Sequence, residues 1–236
     1  MRRMNVPVPP TSSHADAACA QPAARERLLL AGLRLFAHQG FAKTSTRELA
    51  EAAGVNVAAI SYYFGDKAGL YRAAFFEPLC GAAAGWGASD DPARALDDVL
   101  RDFFQQMLAP LKQGDRSRLC MKLRFREMLE PTGLWDEELA QDIGPLHDAL
   151  VCALASHFGE AHDAARGDDE LARLAICIAG LAVHLHVGRD VVDTLAPALN
   201  AGGDAAVDRW VERLVMYARA MVDAEARRRG AAGALR

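Results

Sequence analysis

Between residues 44 and 67 the chain gathers groups that grip phosphate. Thr44, Ser45 and Thr46 offer three consecutive hydroxyls, Arg47 follows with a forked guanidinium, and Lys67 adds an ammonium. Hydroxyls and unpaired N–H groups at the start of a helix form an anion site. A guanidinium forks onto a phosphate or onto the edge of a guanine. Between these groups stand Tyr62, Tyr63 and Phe64. Successive helix residues point about 100° apart, so three aromatics in a row cannot all enter one core. Each feature also has a plain reading: hydroxyls at a helix start are ordinary caps, and Tyr63 can pack on the first helix. The coincidence of caps, Arg47, an outward Tyr62 and Lys67 is what points to a polyanion.

Short helices must position these groups. Leu28, Leu29, Gly32, Leu35 and Phe36 recur at helical spacing over 23–39, and Gly40 supplies a C-terminal cap. Ser45-x-x-Glu48 is a capping box, so a second helix starts at Thr46 and runs to about Ala53, with Leu49 and Ala50 inward. Gly54 allows a tight turn, Asn56 N-caps a third helix over 57–64, Gly65-Asp66 stops it, and a fourth begins near Lys67. With Ile60 at 0°, Phe64 falls near ~40° on the core face, whereas Ser61, Ala58 and Tyr62 fall near ~100°, ~160° and ~200°. Val57 and Tyr63 flank the core face. The outer surface is small, hydroxyl-bearing and almost uncharged, and it suits close approach to a groove. Tyrosine hydroxyls can donate to phosphates, and Val57 or Ala58 can touch a thymine methyl. The arrangement is a helix-turn-helix. Its candidate DNA contacts are Thr44, Ser45, Thr46, Arg47, Asn56, Val57, Ala58, Ser61, Tyr62, Tyr63 and Lys67, with Arg47 as base reader and Lys67 as phosphate clamp.

The 236 residues leave room for a larger unit behind this head. Alanine and leucine dominate, which favours helix. The net charge of −4 argues weakly against nucleic acid, but it is unevenly spread. Residues 1–75 hold nine Lys and Arg against five Asp and Glu, +4, which leaves 18 against 26, −8, for the rest. A basic head on an acidic body can orient a protein on DNA. No apolar run reaches the ~18 residues of a membrane span. Residues 1–22 carry Pro7, Pro9 and Pro10 and read as a disordered leader rather than a signal peptide, so a cytoplasmic protein without membrane partners is expected. The five cysteines are odd in number, widely spaced and without C-x-x-C, which predicts buried thiols and no disulfide framework or zinc knuckle. His184 and His186 lie nearly opposite on one helix, and His147 and His157 stand too far apart to chelate. With no Gly-rich phosphate loop and no Ser/His/Asp arrangement, neither an enzyme nor a cofactor is expected.

After a Gly- and Ala-rich loop over 81–91, helical patterns cover 92–111, 116–129, 137–158, 170–188 and 205–228. The expected fold is all-α with about nine helices: a leader over 1–22, a three-helix head over 23–70 and a helical body over 71–230.

The motifs Leu35-Phe36-x-x-x-Gly40-Phe41, Thr46-Arg47-Glu48-Leu49-Ala50-x-x-Ala53-Gly54-Val55 and Ile60-x-Tyr62-Tyr63-Phe64-x-x-Lys67-x-x-Leu70 resemble the DNA-binding domain of TetR-family transcriptional regulators. The family's third helix often carries Ser, Lys, Gly and Thr where this chain has Asn56, Val57, Ala58 and Ala59, which leaves few polar base readers. RFREMLEPTGLW at 124–135 and IGPLH at 143–147 resemble the CecR-like branch.

The resemblance implies a homodimeric repressor, often of transporter genes, released from a near-palindromic duplex operator by an unidentified small molecule. Activation, or DNA binding without a ligand, stands as the alternative. It implies dimerisation through the last two long helices, with Leu174, Ile178, Leu181, Leu185, Trp210, Leu214, Tyr217 and Met221, although these stripes read equally as internal core. It places a ligand pocket inside the body, with candidate lining Phe104, Met107, Met128, Trp135, His147 and His184; ordinary core is the plain reading of each. Arg126 and Glu127 read either as a polar anchor by the pocket or as a surface pair.

Overall fold

The computed structural model describes residues 14–77, 94–138, 140, 143–161 and 167–233. Among the described residues there are eleven α-helices, one 3-10 turn and no strand. The chain forms two compact units, Met1–Ala74 and Phe75–Arg236.

The head contains α1 (His14–Lys43), α2 (Thr46–Ala53), α3 (Ala58–Phe64) and the start of α4 (Lys67–Phe76). α1 begins at His14; residues 1–13 of the expected leader lie outside the described residues. Gly40 interrupts α1 with φ 83° and ψ 169°. Leu28, Leu33, Phe36, Leu49, Ile60 and Leu70 are fully buried and form the head's core. The Tyr71 ring meets the edges of Phe36 and Phe41 at 4.9 and 5.1 Å.

Caps define the short helices. The Ser45–Glu48 box closes reciprocally at 3.2 and 2.8 Å. Gly54 adopts the left-handed conformation and returns its N–H to Ala50 and Glu51. Arg27 Nε donates to Ala53 O at 2.9 Å, satisfying another open carbonyl at the end of α2. Asn56 Oδ1 accepts from Ala58 N at 2.9 Å, the capping role its position suggests. Asp66 Oδ1 caps α4 through Gly69 N at 2.8 Å.

Gly69 also admits the close approach of α3 to α4. A Cβ there would stand 1.9 Å from Phe64 O, a backbone atom that cannot swing away.

The body holds α5 (Leu96–Lys112), α6 (Asp115–Leu129), α7 (Trp135–Glu138), α8 (Gly144–Phe158), α9 (Asp169–Val187), α10 (Arg189–Leu195), a 3-10 turn Pro197–Leu199 and α11 (Asp204–Gly233). Its core joins one face each of α5, α8, α9 and α11. Over the single helix expected at 137–158 the structure has α7 and α8, and the described residues between them, 140 and 143, are in the wider π-helical form. Gly144 and Pro145 open α8, where a proline without an N–H is tolerated but would break a helix interior. The separate α7 and α8, together with the short α10, which lacks an apolar period long enough to announce it, account for eleven helices instead of about nine. The expected loop at 81–91 lies outside the described residues.

α9 is long and apolar enough to cross a membrane by length and composition. Its Leu171, Leu174, Ala175, Ile178 and Leu185 are nevertheless buried in the body core. Asp168 caps α9 through Glu170 N and Leu171 N, at 2.8 and 3.1 Å. Arg229, near the end of α11, reaches Asp168 and Glu225 at 2.8 Å each and also pairs with Glu160.

The expectation of buried thiols holds for Cys120, where burial pushes the pKa up to about 11. It fails for Cys177, which faces outward on α9, and Cys152 is only half-buried; Cys19 and Cys80 are not described at side-chain level.

Gly69→Ala is expected to destabilise the head by about 1–3 kcal/mol through overpacking, whereas Gly230→Ala, where a Cβ meets nothing within 4 Å, should be neutral or stabilising by up to ~1 kcal/mol. Thermal denaturation of both variants checks this; equal melting temperatures would contradict it.

Candidate nucleic-acid interface

α2 buries Leu49, Ala50 and Ala53 and turns its first residues to solvent. The capping box uses Glu48 N–H and Ser45 N–H, leaving the Thr46 and Arg47 N–H groups of the first turn directed outward. Hydrogen bonds from the Ser45 backbone and hydroxyl hold the Glu48 carboxyl below its ordinary range. Glu48 is therefore ionised at neutral pH, and the box weakens only as acid protonates it. Ser45, Thr46 and Arg47 are all exposed.

α3 buries Ile60 and shows Ala58, Ser61 and Tyr62 on its far side, with Tyr62 71% exposed and Val57 half-exposed beside it. Tyr63 is half-buried and meets Tyr62 edge-on at 4.8 Å. Phe64 is only half-buried rather than a core residue, and the Arg25 guanidinium lies 5.1 Å above its ring. The aromatic run thus divides three ways: one ring outward, one at the edge, one beneath a cation.

Two candidates face inward instead. Thr44 is 1% exposed, and its hydroxyl donates to Gly40 O at 2.7 Å to close the broken end of α1. It has no side chain to offer a phosphate. Lys67 Nζ donates to Phe41 O and Thr44 O, both at 2.8 Å, and stands 4.1 Å from the Phe41 ring centroid. The expected phosphate clamp is spent on carbonyls that a helix end leaves open.

The candidate pocket residues are not presented as one lining. Phe104 is fully buried in the core, Met107 packs against that core, Met128 and His184 are exposed, and Trp135 is half-buried. His147 Nδ1 lies 3.6 Å from the Asp148 carboxylate, while its Nε2 is buried without a hydrogen-bond partner among the described residues. Of the expected dimer residues, Leu174, Ile178, Leu185 and Leu214 are buried in the body's own core, and Leu181, Trp210 and Met221 pack against it. Only Tyr217 is exposed. A stripe on a two-sided helix reads the same whether it faces its own core or a partner, and here the core takes it.

Glu127 is not a surface residue. It is fully buried and accepts hydrogen bonds from Thr132 N at 2.6 Å, Thr132 Oγ1 at 3.0 Å and Leu134 N at 3.2 Å. It thereby staples the turn that leads into α7. Arg126 pairs instead with Glu130 at 2.9 Å. His186, unselected by sequence, holds Met107 O through Nε2 at 2.8 Å and lies against Phe125, and burial lowers its pKa.

The family model for bacterial regulatory proteins of the tetR family matches residues 28–74. The model for the C-terminal domain of the HTH-type transcriptional dual regulator CecR matches residues 96–224, more than half of the chain. The chain belongs to the TetR family, in its CecR-like branch. Among curated TetR-family relatives, the dual regulator CecR of Shigella flexneri is 35% identical over 147 residues, 58% of this chain and 65% of that protein. The transcriptional regulator AcrR of the same organism is 33% identical over 106 residues, 44% of this chain and 48% of that one. The chain thus spans less than two thirds of either relative. The crystal structure of HlyIIR, a hemolysin II transcriptional regulator, shares the TetR-family fold with a TM-score of 0.56 at 19% identity, covering 83% of this chain and 98% of that one.

Arg47→Ala is expected to relax preference at one position of each half-site, at a cost of ~1–3 kcal/mol. Titration against a series of singly substituted sites reads this directly. An equal loss on every site would reassign Arg47 to a phosphate.

Proposed function

We propose that the chain is a sequence-specific DNA-binding transcriptional regulator: a cytoplasmic homodimer that represses until a small apolar ligand binds its body. One observation carries the DNA reading. Buried Leu49, Ala50, Ala53 and Ile60 leave Ser45, Thr46, Arg47, Val57, Ala58, Ser61 and Tyr62 exposed on two adjoining short helices. Hydroxyls and N–H groups suit phosphates, the guanidinium suits a guanine edge, and the small apolar residues suit thymine methyls.

The dimer reading rests on the sides of α9 and α11 that the core does not use. Ile176 is 62% exposed, with Cys177 and Val187 along the same side of α9, and α11 exposes Met216 and Tyr217. Val191, Leu195 and Leu199 prolong the exposed apolar series beyond α9, Leu195 being 79% exposed. Apolar surface of this extent marks an interaction site. A second copy of the same face suits it, because a two-fold interface is self-complementary. Such a dimer sets two copies of α3 about 34–36 Å apart, one turn of DNA.

Family membership supports the effector. A ligand shifts the equilibrium only by its preference for the released state, for which ~1–3 kcal/mol is typical. The description of the CecR relative as a dual regulator favours activation at some promoters as a second reading.

Selection of bound genomic fragments by the purified protein at physiological salt should enrich a near-palindrome beside a few genes. Enrichment of no sequence would contradict the reading. Ile176→Asp should yield a folded monomer in sedimentation, whereas Ile178→Ala, in the core, should cost ~2–5 kcal/mol of stability. A dimeric Ile176→Asp would place the interface elsewhere.

A further inference from the structure

Three carbonyls converge where α1 ends and α2 begins. Gly40 O takes the Thr44 hydroxyl at 2.7 Å. Phe41 O takes Thr44 N at 3.3 Å and Lys67 Nζ at 2.8 Å. Thr44 O takes Lys67 Nζ at 2.8 Å. The ammonium therefore sits at the negative end of the α1 dipole, where a cation is favoured, and the Phe41 ring below it adds a cation–π contact at 4.1 Å. Ser45, Thr46 and Arg47 follow Thr44 directly along the chain. Lys67 is at once the first residue of α4, which only Gly65 and Asp66 separate from the end of α3. One ammonium therefore joins the end of α1, the entry to α2 and the exit from α3.

From this we infer that Lys67 is a positioning residue for DNA binding. It acts as an internal strut that sets α2 and α3 relative to each other, not as a phosphate contact. The inference rests on the DNA-binding reading above. The chemistry separates the two roles. A lysine that neutralises a phosphate releases counterions, and its removal makes the salt dependence shallower. A strut carries no such term: removing it misplaces the donors that remain and leaves their number unchanged.

The test uses the full-length protein and a DNA fragment that the wild type selects, titrated between roughly 50 and 200 mM salt. Lys67→Met keeps the aliphatic stem and removes the ammonium. Hydrogen bonds to charged groups set the scale of the loss, so affinity should fall about 10- to 100-fold, with the slope of log affinity against log salt unchanged. Phe41→Leu, which removes the ring beneath the ammonium, should move affinity in the same direction. A slope shallower by ~0.9, or unchanged affinity, would overturn the strut.

Leu29→Ala supplies the control, a change in the head core toward the other end of α1. Below its melting temperature it should bind DNA like the wild type; an equal affinity loss at matched stability would reduce Lys67 to a plain stability residue and overturn the inference. Amide exchange without DNA gives an independent readout. The Thr44, Ser45 and Glu48 amides, which are hydrogen-bonded in this region, should exchange faster in Lys67→Met, and unchanged rates would refute the strut. If the wild type selects no fragment, the DNA-binding reading fails and exchange alone decides the strut.

Discussion

The head depends on a constraint of length. α2 has eight residues and α3 seven, far below what a helix needs to persist alone in water. Each must be held by what surrounds it. Leu49, Ala50, Ala53 and Ile60 supply burial on one side, and the Ser45–Glu48 box, Gly54, Asn56 and Arg27 close the ends. Because the inner faces are fully committed, the outer faces are free to carry polar and small residues that contribute nothing to packing. Function occupies the side that stability leaves unused.

The body follows the same logic with longer helices. α9 is apolar almost all round, so burial of Leu171, Leu174, Ile178 and Leu185 leaves Ile176 and Val187 facing water. Polar staples hold the remaining segments. Buried Glu127 fixes the turn into α7, the ammonium of Lys112 reaches Asp208 on α11 at 2.5 Å, and Arg229 joins the end of α11 to the cap of α9. The buried Glu127 carboxylate is hydrogen-bonded, as its desolvation requires.

What was legible in the sequence was local. Capping boxes, glycine turns and the 100° period are short-range physics, and they located α2, α3 and the outward set Arg47, Ser61 and Tyr62 to within a residue. What was not legible needed long-range partners. Nothing at Lys67 announces that its ammonium finds carbonyls 23 and 26 residues earlier. Periodicity finds an apolar stripe on α9 but cannot say whether it meets the chain's own core or a partner; Ile178 is buried in that core, and Ile176, outside the stripe, is exposed. The same limit applies to Phe104 and Met128, one buried and one exposed although both fit an apolar lining. Glu127 beside Arg126 looks like a surface pair until the chain turns back over it at Thr132 and Leu134.

If the exposed faces of α2 and α3 enter the major groove as a two-fold pair, a base-resolution footprint of the protein on a fragment it selects should show two protected major-groove patches on one face of the duplex, centred about one helical turn apart. Both should be lost in a variant carrying Arg47→Ala and Tyr62→Ala. A single patch, protection confined to the minor groove, or a footprint unchanged by those substitutions would contradict it.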